Sequence, residues 1–166
     1  MTGPGTRPGR TGPASSRGGI GWAAAHALAR LDAGQYRPFN LVTADRPGAW
    51  FVRGLGAGLP EAVALAPGLH MVTAHDPDDP GSPRVARHLP RFRLAAAPDE
   101  DDGAAWRALL AAASGPVGSE LCVPARDGFG TVCLSLLALG RDGTVRWEFA
   151  AGPPDRVPFR PVALDS

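Results

Sequence analysis

Lysine is missing from the 166 residues, so all 17 basic side chains are arginine. Asparagine, isoleucine and tyrosine occur once each, as Asn40, Ile20 and Tyr36, against 22 glycines and 18 prolines. That bias is the signature of a GC-rich genome, and it makes arginine density a matter of codon supply more than of phosphate recognition. A net charge of +1 excludes a bulk nucleic-acid or membrane-surface role. Cys122 and Cys133 are too few for a disulfide framework and lack metal-ligand spacing, which points to the cytoplasm. No run reaches the ~20 apolar residues of a membrane span. Arg7, Arg10 and Arg17 precede no apolar segment, so the N-terminus does not read as a secretory signal.

What is present suits one soluble domain, with 44% apolar and 20% charged residues and a length that buries roughly 70% of the unfolded surface. Residues 1–17, nearly all Gly, Pro, Ser, Thr and Arg, are expected to form a disordered tail, and residues 18–166 the domain. Apolar positions from Ile20 to Leu31 fall at helical spacing, with Gly34 as a stop. A run from Phe39 to Thr43, the turn Asp45-Arg46-Pro47-Gly48 and a run from Ala49 to Val52 predict a hairpin. A third run, His70 to Thr73, would extend it into a meander.

Gly54 to Gly58 between strands reads as a turn, since the spacing is not that of a dinucleotide loop. Ser82 suits an N-cap and Pro83 the first turn of a second helix, with Val85, His88 and Leu89 inward and Pro90 as its limit. After an acidic linker, Pro98 to Asp102, residues Ala104 to Ala113 predict a third helix packing Trp106, Leu109 and Leu110. Thr131 to Leu139 and Thr144 to Ala150 predict a hairpin whose second strand buries Val145, Trp147 and Phe149 and exposes Arg146 and Glu148. Phe159 to Leu164 suits an edge strand or a loose tail. The expected class is α+β, antiparallel sheets with flanking helices.

The order Phe39-Asn40-Leu41-Val42, Ala44-Asp45, a turn, Trp50-Phe51-Val52-Arg53-Gly54, then Pro67-Gly68-Leu69-His70, Thr73-Ala74-His75-Asp76 and Ser82-Pro83-Arg84 resembles the NRDE family, also called the transport and Golgi organisation protein 2 family. Gly128-Phe129-Gly130-Thr131 and Arg141-Asp142-Gly143-Thr144-Val145 form a second matching block. The resemblance covers most of Ser16 to Pro153 and implies an N-terminal-nucleophile hydrolase fold, layered αββα. Family members open with Met-Cys and carry an Asn-Arg-Asp-Glu motif, and neither is found in this sequence. The resemblance therefore implies the C-terminal two-thirds of such a domain, a partial sandwich that is catalytically inactive as given, or an incomplete product whose start lies upstream. The strands it lacks would leave an exposed apolar patch near Phe39 to Val42 or Val132 to Leu139, and self-association through an open strand edge.

The candidate catalytic residues are Asn40, His75, Asp76 and Thr131, with Thr73, Arg84 and Cys122 beside them. Asn40 matches the Asn of the family's F-N-L pattern. Thr2, exposed by loss of Met1, is a poor nucleophile because no strand would fix it. His75 and Asp76 offer an acid/base pair, or with Asp78 and Asp79 a metal site, but adjacent side chains point to opposite faces and Asp-Pro pairs make turns; the reading carries no metal and no cofactor. His26 has no second ligand at helical spacing. Animal members of the family have been associated with haem, so a non-catalytic carrier of a small molecule, haem included, is the alternative to a hydrolase-like domain. His70, His75 and Cys122 are then the candidate ligands.

Overall fold

The computed structural model describes residues 19–98, 103–140 and 142–164. The expected tail, Thr2, the acidic residues 99–102, Arg141 and the last two positions lie outside the described residues. The described chain is α+β: helix α1 (Ile20–Leu28), strands β1 (Phe39–Asp45), β2 (Gly48–Gly54) and β3 (Glu61–Leu65), helices α2 (Pro83–Leu94) and α3 (Ala104–Leu110), then strands β4 (Leu134–Leu139), β5 (Val145–Ala150) and β6 (Arg160–Pro161). The strands form two antiparallel sheets of three, ordered β1-β2-β3 and β4-β5-β6.

The first sheet is built around β2. Alternation along a strand sends Trp50 and Val52 to one face and Phe51 and Arg53 to the other. The Trp50 face receives α1, and Ala25, Trp50 and Val52 form its buried core, with Trp22, Leu28, Phe39 and Ala62 packed around them. The alanines of α1 let helix and sheet approach closely. At Gly21 the approach is so tight that a Cβ would stand 2.9 Å from the Ala44 carbonyl carbon and from the Trp50 ring. The same end of α1 is fastened by the Gly21 N–H donating to Asp45 Oδ2 at 2.8 Å and by Thr43 Oγ1 donating to the Gly21 carbonyl at 2.9 Å. Asp45 Oδ1 also accepts from the Gly48 N–H at 3.1 Å, so one carboxylate closes the β1–β2 turn and caps the helix.

Three expected elements are corrected. The third strand is not His70 to Thr73 but Glu61–Leu65, which pairs with β2 from Ala49↔Leu65 to Arg53↔Glu61. Residues 70–82 form a loop instead, because the Gly turn already returns the chain beside β2. Pro90 does not end α2, which continues to Leu94. The carbonyl that Pro90 leaves without an N–H is that of Ala86, and both residues lie on the exposed side of the helix. The two faces of β5 are not cleanly divided: Trp147 and Phe149 are half-buried as expected, but Val145 is 44% exposed and Glu148, expected to be exposed, is half-buried beside Arg107 of α3. Helices α1 and α3 and strands β4 and β6 are also shorter than expected. Ser82 stands at the N-cap of α2 without a side-chain cap bond.

Helix α2 buries Val85, His88, Leu89 and Phe92. The Phe92 ring meets Trp106 of α3 edge-on, centroids 5.0 Å apart. The second sheet is thinly covered, since α3 makes few close backbone approaches to it. No residue of β4 is buried, and Ala150 is the one buried residue of β5. Among the described residues, β1 pairs with β2 alone and β4 with β5 alone, so each leaves one edge open, and Val42 and Leu139 beside those edges are each 48% exposed.

Candidate functional site

The loop from His70 to Ser82 lies against the Phe51 face of the first sheet, where Arg53 holds Asp76 of the loop and Glu61 of β3, the latter at 3.0 Å. Asn40 sits in register with Arg53. Its Nδ2 donates to the carbonyls of Thr73 at 2.8 Å and His75 at 3.0 Å. The amide hydrogens that could steady an oxyanion are thus spent holding loop backbone.

Asp78 organises the first half of the loop from a left-handed conformation, φ 62°. Its Oδ1 accepts from the Met71 N–H at 2.7 Å and its N–H donates to the Met71 carbonyl at 3.0 Å. Its Oδ2 lies 2.6 Å from His70 Nδ1, and His70 Nε2 lies 2.8 Å from the Ala66 carbonyl. Both partners of the imidazole are acceptors, so both ring nitrogens carry protons. The Asp78 bond, with the Ala66 carbonyl, raises the His70 pKa accordingly. A ring in that state has no lone pair to offer a metal or haem iron.

His75 points elsewhere. Its Nδ1 lies 3.2 Å from Asp79 Oδ2, four residues on, in an exposed pair. Asp76 turns to Arg53, so His75 and Asp76 do not form a dyad. Thr73 Oγ1 donates to Ser82 Oγ at 3.3 Å and accepts from the His75 N–H at 3.2 Å. Among the described residues no three His, Cys, Asp or Glu side chains gather as a metal site. His26 is exposed on α1, its ring 4.1 Å from that of Trp22.

The other candidates lie in or near a second cluster, in which α2 grips Ser119 and Glu120. Arg84 Nε donates to the Glu120 carbonyl at 2.9 Å, Arg87 Nη1 to Ser119 Oγ at 3.1 Å, and His88 Nε2 to the Ser119 carbonyl at 2.7 Å. His88 is fully buried, and that burial pushes its pKa down. The neutral ring keeps Nδ1 as acceptor for Arg91 Nη1 at 3.2 Å. Glu120 is 2% exposed; its own N–H, the Gly118 N–H at 2.7 Å and the charges of Arg126 and Arg84 hold its carboxyl below the usual range. Cys122 is buried and its Sγ donates to Asp155 Oδ1 at 3.3 Å; desolvation raises the thiol pKa, the reverse of what a nucleophile or thiolate ligand requires. Thr131 Oγ1 accepts from the Val123 N–H at 2.8 Å and its own N–H donates to the Val123 carbonyl at 2.9 Å, a clasp across one loop.

A separate concavity contains none of these residues. A groove of about 590 Å³ runs between α3 and the Glu148 face of the second sheet, walled by Trp106, Leu136, Pro161 and Leu164. Arg107 Nη1 donates to both carboxylate oxygens of Glu148, at 3.3 and 3.0 Å, and each side chain keeps about a third of its surface exposed, 34% and 33%. The Trp106 Nε1–H is buried without a partner. Because no solvent-sized group reaches that N–H, it is not a hook for a ligand and instead marks an imperfect seat for α3. The alternation Arg146-Trp147-Glu148 was the one sequence signal for the groove, but it reads first as a solvated polar face.

No family model, curated protein or solved structure matches this chain. No helix among the described residues is long and apolar enough to cross a membrane.

Proposed function

We propose that the chain is an NRDE-like domain, related in architecture to the αββα N-terminal-nucleophile hydrolases, that holds a small molecule without cleaving it. Two antiparallel sheets, one with α1 on it and one with α3 beside it, supply the kinds of layer such a fold uses, and the motif order from Phe39 to Arg84 supports the reading. One observation carries the carrier reading: the 590 Å³ groove beside Trp106 is of the size that takes a drug-sized ligand. The side chains with catalytic chemistry, Asn40, Asp76, Cys122 and Thr131, are committed to bonds that hold loops in place.

Haem is the less favoured cargo. Of its three candidate ligands, His70 is doubly bonded and Cys122 is buried on Asp155, which leaves only the exposed His75. A haem titration that moves the Soret band, and does so no longer in His75→Ala, would restore it.

The test is to incubate the purified chain with a panel of aryl amides and inspect both product and complex by native mass spectrometry. Reversible mass adducts without released amine are expected. Amine release that disappears in Cys122→Ala would overturn the reading in favour of a hydrolase.

A further inference from the structure

We infer that the groove over the second sheet selects an uncharged, flat, apolar ligand carrying an amide-like group, and that the Arg107–Glu148 pair is its polar recognition element. This rests on the carrier reading above and adds the class of ligand.

The walls decide the body of the ligand. Trp106 presents an indole on the helix side, and Leu136, Pro161 and Leu164 present aliphatic surface on the sheet side. A slot between an aromatic ring and a sheet face favours a planar ring system, which buries both of its faces at little cost in rotational freedom.

Charge decides the head group. Glu148 receives both bonds from Arg107, so among the described residues of the groove these two charges neutralise each other. Arg146, which also lines the groove, has an interaction of its own. A carboxylate entering the groove would have to draw Arg107 off Glu148 and leave that carboxylate uncompensated. An ammonium would have to draw Glu148 off Arg107. Breaking a partly buried pair from one side costs more than the new contact returns. An amide keeps the pair intact, since its carbonyl accepts from guanidinium N–H groups and its N–H donates to a carboxylate oxygen. The third of each side chain left exposed is the surface where such bonds would form.

Three isosteric probes test this by calorimetric titration: 2-naphthamide, 2-naphthoate and 2-naphthylmethylammonium. The amide is expected to bind the native chain about tenfold or more tightly than either ion, the scale of one uncompensated charge at a part-exposed site. Glu148→Gln should turn the preference toward naphthoate, and Arg107→Gln should turn it toward the ammonium. Glu148→Gln is isosteric and Arg107→Gln shortens the side chain without adding bulk, and near-ultraviolet circular dichroism checks that the tryptophans keep their environment in both. Naphthoate binding the native chain as well as the amide, or unchanged preferences in both variants, overturns the assignment of the pair while leaving the groove as a binding site. If none of the three probes binds, the groove and the carrier reading fail together.

Discussion

The two sheets are alike in size, order and sense, yet one has a core and the other a cavity. In β1–β3 helix α1 lies directly on the sheet, fastened at Gly21 and Asp45, and Ala25 and Val52 are wholly buried between them. In β4–β6 the covering helix α3 buries no residue and touches the sheet by a charged pair at Glu148. What differs is which residues stand at the contact, Gly21 and Ala25 in α1 against Trp106 and Arg107 in α3. A sheet accepts a helix at about 10 Å only when the facing residues are small or interlock, and otherwise the gap remains as usable space.

The comparison predicts unequal costs of truncation. Trp50→Ala should lose about 3–5 kcal/mol, the range for deleting a large buried aromatic. Leu136→Ala, on the groove wall, should lose about 1 kcal/mol or less, since it deepens an open space and creates no sealed one. Urea unfolding of the two variants measures both; equal losses would mean that the second sheet is as well packed as the first.

A smaller effect separates the loop from the sheet that carries it. Asn40→Ala removes both bonds to the 73 and 75 carbonyls and should cost about 1–2 kcal/mol, the range for part-buried hydrogen bonds left unmade. Amide exchange should quicken in residues 70–82 before it does in β2. Uniform quickening across both would show that the loop is not a separately opening unit.

The smallest is a pH dependence centred on His70. Its raised pKa gives a contribution complete below the ordinary imidazole value of 6.5 and lost as pH rises through the raised value. Burial pushes the Asp78 pKa up, but the Met71 N–H and His70 outweigh it, so the net shift is down. The Asp78 contribution is thus present above 3.8 and lost as pH falls through the lowered value. Between those limits the loop is at its tightest. The protection of the Met71 amide, its exchange rate relative to that of an unstructured amide at the same pH, should fall on both sides of that window, and a flat protection profile would sink the assignment of His70 as a doubly donating cation.

The hairpins were legible because they rest on local signals: a tight turn, alternation and β-branched residues around Asn40 and Val52. So was α2, including three of its four buried residues. The strand Glu61–Leu65 was not, because Glu61-Ala62-Val63-Ala64-Leu65 has little strand propensity and forms by pairing with β2. Pro90 misled because one lost N–H and its ring clash disfavour a helix interior without forbidding it, and here both Pro90 and Ala86 lie on the exposed side while Leu89 and Phe92 anchor the turns around it. The buried Ser119-Glu120 segment carries no sequence signal at all, since a carboxylate enters an interior only when distant groups such as Arg84 and Arg126 are brought to it by the fold. For the groove, Arg107 and Glu148 stand 41 positions apart, and nothing local reports a gap between helix and sheet.

The burial of Cys122 beside Asp155 has a chemical corollary. Cys122 is buried while Cys133, eleven positions on, is exposed, so the two native thiols form a clock with its own reference hand. An alkylating reagent labels Cys133 directly and reaches Cys122 only in the intervals when the segments around it open. The ratio of the two rates, followed by mass in one unmodified sample, reads how often that opening occurs. Because neither lysine nor an engineered tag enters the measurement, any compound that tightens or loosens this half of the molecule can be ranked by how far it slows one thiol and spares the other.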